Sequence, residues 1–254
     1  MREYSERLPK PLADIRQLPI LWYVMKYYAH FGHRDFILCL GYKADVITSY
    51  FEHHRSAPGT PFIIDGEDNH PLYGEDIDKW KITLVDTGEH SPIGERLRRV
   101  QSYIGDDEWF LANYSDGVTD LHLPSLIDYA RAQDRVGTML AVHPNHSFHT
   151  VAMNAAGEVG GIVDLKHSGV MINGGYFVFK RAIFDYINAG DDLVAEPFAR
   201  LIDDKQLVAH RTNAYWACMD TFKDKEQLEQ MLDNGKATWR VWDQPAQPLL
   251  AVGS

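Results

Sequence analysis

The stretch from Asp35 to Gly41 constrains the fold most: five apolar residues in a row, Phe36 to Leu40, run between an acidic start and a glycine stop. A run of that length reads as a strand covered on both faces, the habit of a parallel sheet. Before it, Leu21, Val24, Met25 and Tyr28 recur at helical spacing between Pro19 and Phe31, and Gly32 marks the stop. After it, Lys43 to His54 repeats an amphipathic helical period. Helix, strand, glycine turn and helix in succession are the grammar of an α/β domain.

The alternation continues. The segment from Arg55 to Lys79 carries Pro58, Gly59, Pro61, Gly66, Pro71 and Gly74, and predicts a loop excursion around one short strand, Pro61 to Ile64. A strand from Trp80 to Val85, a helix near Gly94 to Ile104 and a strand from Glu108 to Tyr114 come next. A helix from Leu123 to Arg135 and a strand from Val136 to Val142 complete the run. Past His143 the texture changes to short β segments separated by Gly157, Gly160, Gly161, Gly169, Gly174 and Gly175. Helices follow near Arg181 to Asn188, Ala195 to Asp204 and Lys223 to Asn234. The expectation is one domain of 254 residues: a doubly wound core with a C-terminal extension that roofs the pocket.

Charge narrows the partners. Lys and Arg number 25 against 36 Asp and Glu, a formal net charge of -11. Clamping a nucleic-acid backbone needs a basic face, so nucleic acid is not an expected partner, whereas a pocket for one nucleotide is compatible. No apolar run approaches the roughly 18 residues of a membrane span, and Met1 to Arg7 has no apolar core behind it, so neither a membrane nor a leader is expected and the location is cytoplasmic. Cys39 and Cys218 are too few for a disulfide scaffold and read as reduced, buried thiols.

Several segments could carry chemistry. Asp116, after Asn113, Tyr114 and Ser115 and before Gly117, lies at the carboxyl end of an apolar strand, where α/β sheets bind ligands. A carboxylate there can hold Mg²⁺, or the pair can be a plain turn. Asp220, between Met219 and Thr221, reads either as a second carboxylate or as the cap of the following helix. Lys10 stands between Pro9 and Pro11 in a segment expected to be extended, as a preset ammonium for phosphate or a solvated surface lysine. Thr87 and Gly88 end another strand and precede Gly94 and Arg96; glycine allows close approach and arginine meets phosphate or base edges, unless the segment is a connecting loop with a basic helix face. Asn173, Gly174 and Glu196 offer amide and carboxylate partners for sugar hydroxyls, or the glycines mark a bulge. His143, His146 and His149 fit no common zinc spacing, and His53 and His54 look like a solvated helix end.

In this order and spacing the segments resemble the sugar-1-phosphate nucleotidyltransferases, most closely the glucose-1-phosphate cytidylyltransferases. The match runs nearly the whole chain: Pro9 to Pro11, Pro19 to Trp22 with Met25 and Lys26, Gly41 to Lys43, Thr83 to Gly88 and Gly94 to Val100. It continues through Tyr114 to Asp120, Met171 to Phe177, Glu196 and Pro197, Met219 to Thr221, and Gly235 to Trp239. The resemblance implies a Rossmann-like, mostly parallel sheet flanked by helices, with a small C-terminal α+β extension covering the pocket. About residues 1–142 would form the nucleotide-binding core and about 143–254 the sugar-binding part. It implies a transferase joining CTP to α-D-glucose 1-phosphate, with release of pyrophosphate and CDP-glucose, and a homo-oligomeric assembly. By matched position Asp116 and Asp220 would hold Mg²⁺ and Lys10 would contact phosphate. Thr87, Gly88, Gly94, Arg96 and Ser115 would line the nucleotide side, and Asn173, Gly174, Glu196 and Lys166 the sugar side.

Two departures accompany the match. The family pattern opens with an apolar strand and a glycine-rich loop ending in arginine, which cradles the triphosphate. Counting back from Lys10 places that motif ahead of Met1, and the expectation is that upstream residues were omitted by a late start, with a truncated binding homologue as the alternative. The usual Glu-Lys-Pro sugar segment is replaced by Val163 to His167, with Lys166 as the substitute, so a sugar other than glucose is the second expectation.

Overall fold

The computed structural model describes residues 8–16, 18–52, 63–65, 80–145 and 148–243. The expectations on residues 1–7, His53 and His54, most of 55–79, and His146 lie outside the described residues. The strands are β1 (Asp14–Ile15), β2 (Leu18–Pro19), β3 (Asp35–Leu40), β4 (Ile63–Asp65), β5 (Lys81–Asp86), β6 (Trp109–Asn113), β7 (Gly117–Thr119), β8 (Gly137–Val142), β9 (His149–Met153), β10 (Val159–Asp164), β11 (Ile172–Lys180), β12 (Leu207–Arg211) and β13 (Trp216–Cys218). The α-helices are α1 (Ile20–His30), α2 (Ala44–Glu52), α3 (Ile93–Arg99), α4 (Leu123–Gln133), α5 (Glu196–Asp203) and α6 (Phe222–Asp233).

The expected α/β architecture is present. One sheet has the order β12-β8-β11-β6 and another the order β3-β5-β4. Parallel ladders join β3 to β5 and β8 to β12, while β11 runs antiparallel to both its neighbours. β11 organises the larger sheet, because strand geometry sends alternate side chains to opposite faces. Tyr176 and Val178 pack with Val24, Tyr27 and Tyr28 of α1 and Leu126 of α4. Phe177 and Phe179 pack on the other face with Leu97 of α3 and Phe198 and Leu201 of α5. Phe177 and Phe179 stack with ring centroids 5.3 Å apart.

Among the described residues β3 and β6 each form an edge of their sheets, yet their side chains enter the same layers. Ile37 and Val85 pack against the cluster that takes Phe110 and Ala112, and Phe36 against the one that takes Trp109 and Leu111. An edge strand lacks the neighbour that would cover it, and this corrects the expectation of two buried thiols: Cys39 on β3 is exposed and Cys218 is half-buried, both free.

Other differences have local causes. Lys10 is not in an extended segment; it opens a 3-10 turn, Lys10–Leu12, because Pro11 at the second position suits a first helical turn, which needs no N–H from it. α4 stops at Gln133, where Asp134 takes a left-handed φ of 51° and its N–H closes on the Ala130 carbonyl. The helix expected from Gly94 to Ile104 is α3 followed by a 3-10 turn, Gln101–Tyr103, and the one near Arg181 is a 3-10 helix, Arg181–Tyr186. The C-terminal extension closes a fourth cluster, in which Trp239 is 1% exposed among Ile15, Ile20, Tyr23, Met219 and Leu228. Among the described residues no helix is long and apolar enough to cross a membrane.

Phe179 is fully buried at the centre of this stack. Phe179→Ala is expected to cost about 3–5 kcal/mol, the range for an aromatic removed from a close-packed core, measured as a fall in the urea unfolding midpoint.

Candidate active site

A three-residue ladder brings the two candidate acids together. β13 pairs antiparallel with β7, with Cys218 opposite Gly117 and Ala217 opposite Val118. In that register the chain enters β7 and leaves β13 at the same end, so Asp116 and Asp220 meet there. The Met219 N–H donates to the Asp116 carbonyl at 2.9 Å, locking the junction. Asp220 precedes the N-cap of α6; the cap itself is Thr221, in a reciprocal box with Asp224. The Asp224 carboxylate also accepts the Asp220 N–H at 3.1 Å, which fixes the backbone and leaves the Asp220 side chain to the site.

Lys10 completes the group. Its Nζ donates to Asp116 Oδ2 at 2.5 Å and to Asp220 Oδ1. The flanking turn is anchored by Leu12 and Ala13, both buried. Burial alone would lower the Lys10 pKa, but the charges and hydrogen bonds of Asp116 and Asp220 outweigh it and raise it, so the ammonium persists. Cys218 stands behind Asp220 and donates its S–H to Oδ2 at 3.1 Å. Burial, helped by that hydrogen bond, pushes the thiol up to about 12, so it remains a donor.

Two carboxylates on one ammonium are an all-oxygen donor pair, the chemistry a hard divalent cation selects. Among the described residues no group of three or more His, Cys, Asp or Glu gathers to hold a metal. Such an ion would take its other ligands from water and phosphate. The donor set therefore fits a lightly held divalent cation and not a closed structural site.

The second group lies past β5. Thr87 is fully buried; its N–H and hydroxyl both donate to the Leu40 carbonyl, at 2.8 and 2.6 Å. Gly88 has φ +89° and takes the Asp86 carboxylate on its N–H at 2.9 Å. Arg96 is folded over this loop, donating to the Ser91 carbonyl at 2.9 Å, the Glu89 carbonyl at 3.1 Å and the Thr87 hydroxyl at 3.3 Å. Gly94 packs so closely that a Cβ there would lie 2.6 Å from the Asp191 carbonyl oxygen. That contact joins the loop to the segment leading to Glu196, whose Oε2 accepts the Asp192 N–H at 2.9 Å.

The third group flanks the acids. Asn173 Oδ1 accepts the Gly175 N–H at 2.9 Å, and the Gly174 carbonyl accepts Trp216 Nε1 at 2.8 Å. Gly175 has φ +72°, and a Cβ there would meet the Tyr114 ring at 2.7 Å, so only glycine lets β11 pass that ring. Ser115 is half-buried in the turn before Asp116. Lys166 is exposed on the 3-10 turn Leu165–His167, its N–H held by Asp164 at 2.9 Å. The structure thus gathers Lys10, Asp116 and Asp220, separately gathers Thr87, Gly88 and Arg96, and ties Gly94 to the Glu196 segment.

Residues that the motifs passed over also shape the site. Tyr114 borders Asn173 and Asp116, its hydroxyl raised in pKa by burial. Cys218 and Asp224 orient the Asp220 segment. The Thr221–Asp224 spacing is a capping signal legible in sequence; nothing local marks Cys218.

Fold and sequence together are those of the sugar-1-phosphate nucleotidyltransferase class. In three dimensions the chain is similar to UDP-glucose pyrophosphorylase complexed with UDP-glucose, with a TM-score of 0.66 over 91% of this chain and 93% of that one at 11% identity. It is similar to HddC from Yersinia pseudotuberculosis with a TM-score of 0.62 over 89% and 90% of the two chains at 20% identity. No family model matches the sequence. Glucose-1-phosphate cytidylyltransferase of Salmonella typhimurium is 38% identical over 237 residues, 92% of each chain. The chain belongs to the glucose-1-phosphate cytidylyltransferase family.

The Gly94 contact makes a direct test. Gly94→Ala is expected to cost about 1–3 kcal/mol through overpacking against a backbone carbonyl, whereas Gly161→Ala, with nothing within 4 Å, leaves the urea midpoint nearly unchanged.

Proposed function

We propose that the chain joins CTP to α-D-glucose 1-phosphate, forming CDP-glucose and pyrophosphate. The observation that carries the reading is the meeting of Lys10, Asp116 and Asp220; the 38% identity to a protein named for this activity supports it. A sugar-phosphate oxygen attacks the α-phosphorus of CTP in line, the bond to the bridging oxygen breaks, and pyrophosphate departs with the electron pair. No covalent enzyme intermediate is required, since positioning and charge neutralisation lower the barrier.

Asp116 and Asp220 would hold Mg²⁺, which when bound supplies positive charge to phosphate oxygens. Lys10 carries a persistent ammonium to the same place and offsets the charge of the phosphates. Thr87, Gly88, Gly94, Arg96 and Ser115 serve the nucleotide, in the part up to about residue 142. Asn173, Gly174, Glu196 and Lys166 serve the sugar phosphate, in the part beyond. A net charge of -11 is no obstacle, because the local cation sets the field at the phosphates.

The alternative reading is binding of nucleotide or sugar phosphate without turnover. Pyrophosphate release with CTP, UTP, ATP and GTP, each with glucose 1-phosphate, decides between them: turnover with CTP supports the transferase, and binding with no release supports the second reading. Asp116→Asn is expected to lower turnover about 10²–10³-fold, the range for lost electrostatic stabilisation, with an unchanged urea midpoint.

Self-association belongs to the same proposal. The β9–β10 hairpin exposes Val151, Met153, Val159 and Ile162, and Glu158 is the one formal charge from residue 148 to 163. Two copies of an acidic chain meet there with least repulsion. Sedimentation velocity is expected to show an oligomer that Ile162→Lys dissociates.

A further inference from the structure

Glu95 is a buried acid, 5% exposed, that the proposed chemistry does not use. Both its oxygens are saturated. Oε1 accepts Arg99 Nε at 2.7 Å and Arg98 Nη2 at 2.9 Å; Oε2 accepts Arg98 Nε at 2.8 Å and the Gly190 N–H at 3.1 Å. The Glu95 N–H also donates to the Asp191 carbonyl at 3.1 Å. The two arginines, and then the Gly190 N–H, hold its carboxyl well below the usual range, so it is ionised at neutral pH.

From this carboxylate two arms extend. In one, Arg99 Nη1 donates to the Thr87 carbonyl at 3.0 Å and lies against Gly88, where a Cβ would come within 2.9 Å of it. In the other, Gly190 leads to Asp191, held by Arg200 Nη1 at 2.5 Å, and to Asp192, whose N–H is held by Glu196 at 2.9 Å. Hydrogen bonds thus run from Thr87 through Arg99 and Glu95 to Gly190, and the backbone and the Asp192 bond carry the connection on to Glu196.

We infer that Glu95 is a positioning residue that sets the spacing between the loop at residues 87–91 and the loop at residues 188–196. The inference rests on the reading above, in which the first loop serves the nucleotide and the second the sugar phosphate. Loops already held in their binding geometry need little ordering when substrates arrive, so one carboxylate shared by both loops is a means of presetting the sites for two substrates. Its burial makes the clamp rigid: a buried charge with all acceptors filled is costly to disturb.

The test is Glu95→Gln, which keeps the size but loses the charge and one acceptor oxygen. On the full chain without substrates, hydrogen exchange is expected to speed up about 2- to 30-fold, the range for residues that couple two sites, in both 87–91 and 188–192. Exchange in α6 stays unchanged. The KM values for CTP and glucose 1-phosphate both rise by a similar factor, while kcat stays within about threefold of the parent. Arg99→Gln breaks one arm alone, so it loosens 87–91 and raises the KM for CTP only. Unchanged exchange in either loop of Glu95→Gln overturns the clamp; faster exchange in both loops with unchanged KM values overturns its role in positioning. A parent chain that shows no transfer refutes the functional reading and leaves the exchange result to decide the clamp.

Discussion

One ammonium between two carboxylates is the arrangement on which the rest of this structure converges. Lys10 lies 106 residues from Asp116 and 210 from Asp220, so their meeting requires the N-terminal turn, the end of β6 and the start of α6 to be in place together. The contact does not itself hold them there. The side chains of Lys10 and Asp220 are 33% and 52% exposed, and ion pairs this open to water contribute about 0–1 kcal/mol. Their placement comes from apolar burial behind them, where Ile15, Ile20, Met219 and Trp239 are all but sealed from solvent.

The two faces of β11 divide the labour of the fold. Tyr176 and Val178 secure α1 and α4, and the Tyr176 hydroxyl reaches the Gly117 carbonyl at 2.9 Å, next to the acids. Phe177 and Phe179 secure α3 and α5, which carry Glu95 and Glu196. A single strand therefore links the residues around the two acids to the loops beyond them, and its dense packing transmits any misfit to both.

Features that depend on a few neighbouring residues were legible in the sequence. The run from Phe36 to Leu40 announced a strand, and Leu21, Val24, Met25 and Tyr28 announced α1, because local periodicity carries that information. The exposure of Cys39 was not legible, since it depends on what lies beside β3 and not on β3 itself. Nor was the β7–β13 ladder: three residues on each side are too short for a period, and they lie about a hundred residues apart. Asp116 and Asp220 could be singled out one by one, and the resemblance joined them, but the register that does so physically exists only in three dimensions. Glu95 was hidden by its company: among Arg96, Arg98 and Arg99 it reads as part of a solvated helix face.

The box formed by Thr221 and Asp224 separates two duties that one aspartate often combines. Because Thr221 and Asp224 start the helix between them, Asp220 owes nothing to the secondary structure that follows it. Its identity is therefore open to evolutionary or engineered exchange on chemical grounds alone, and a lineage could vary that side chain without rebuilding the scaffold.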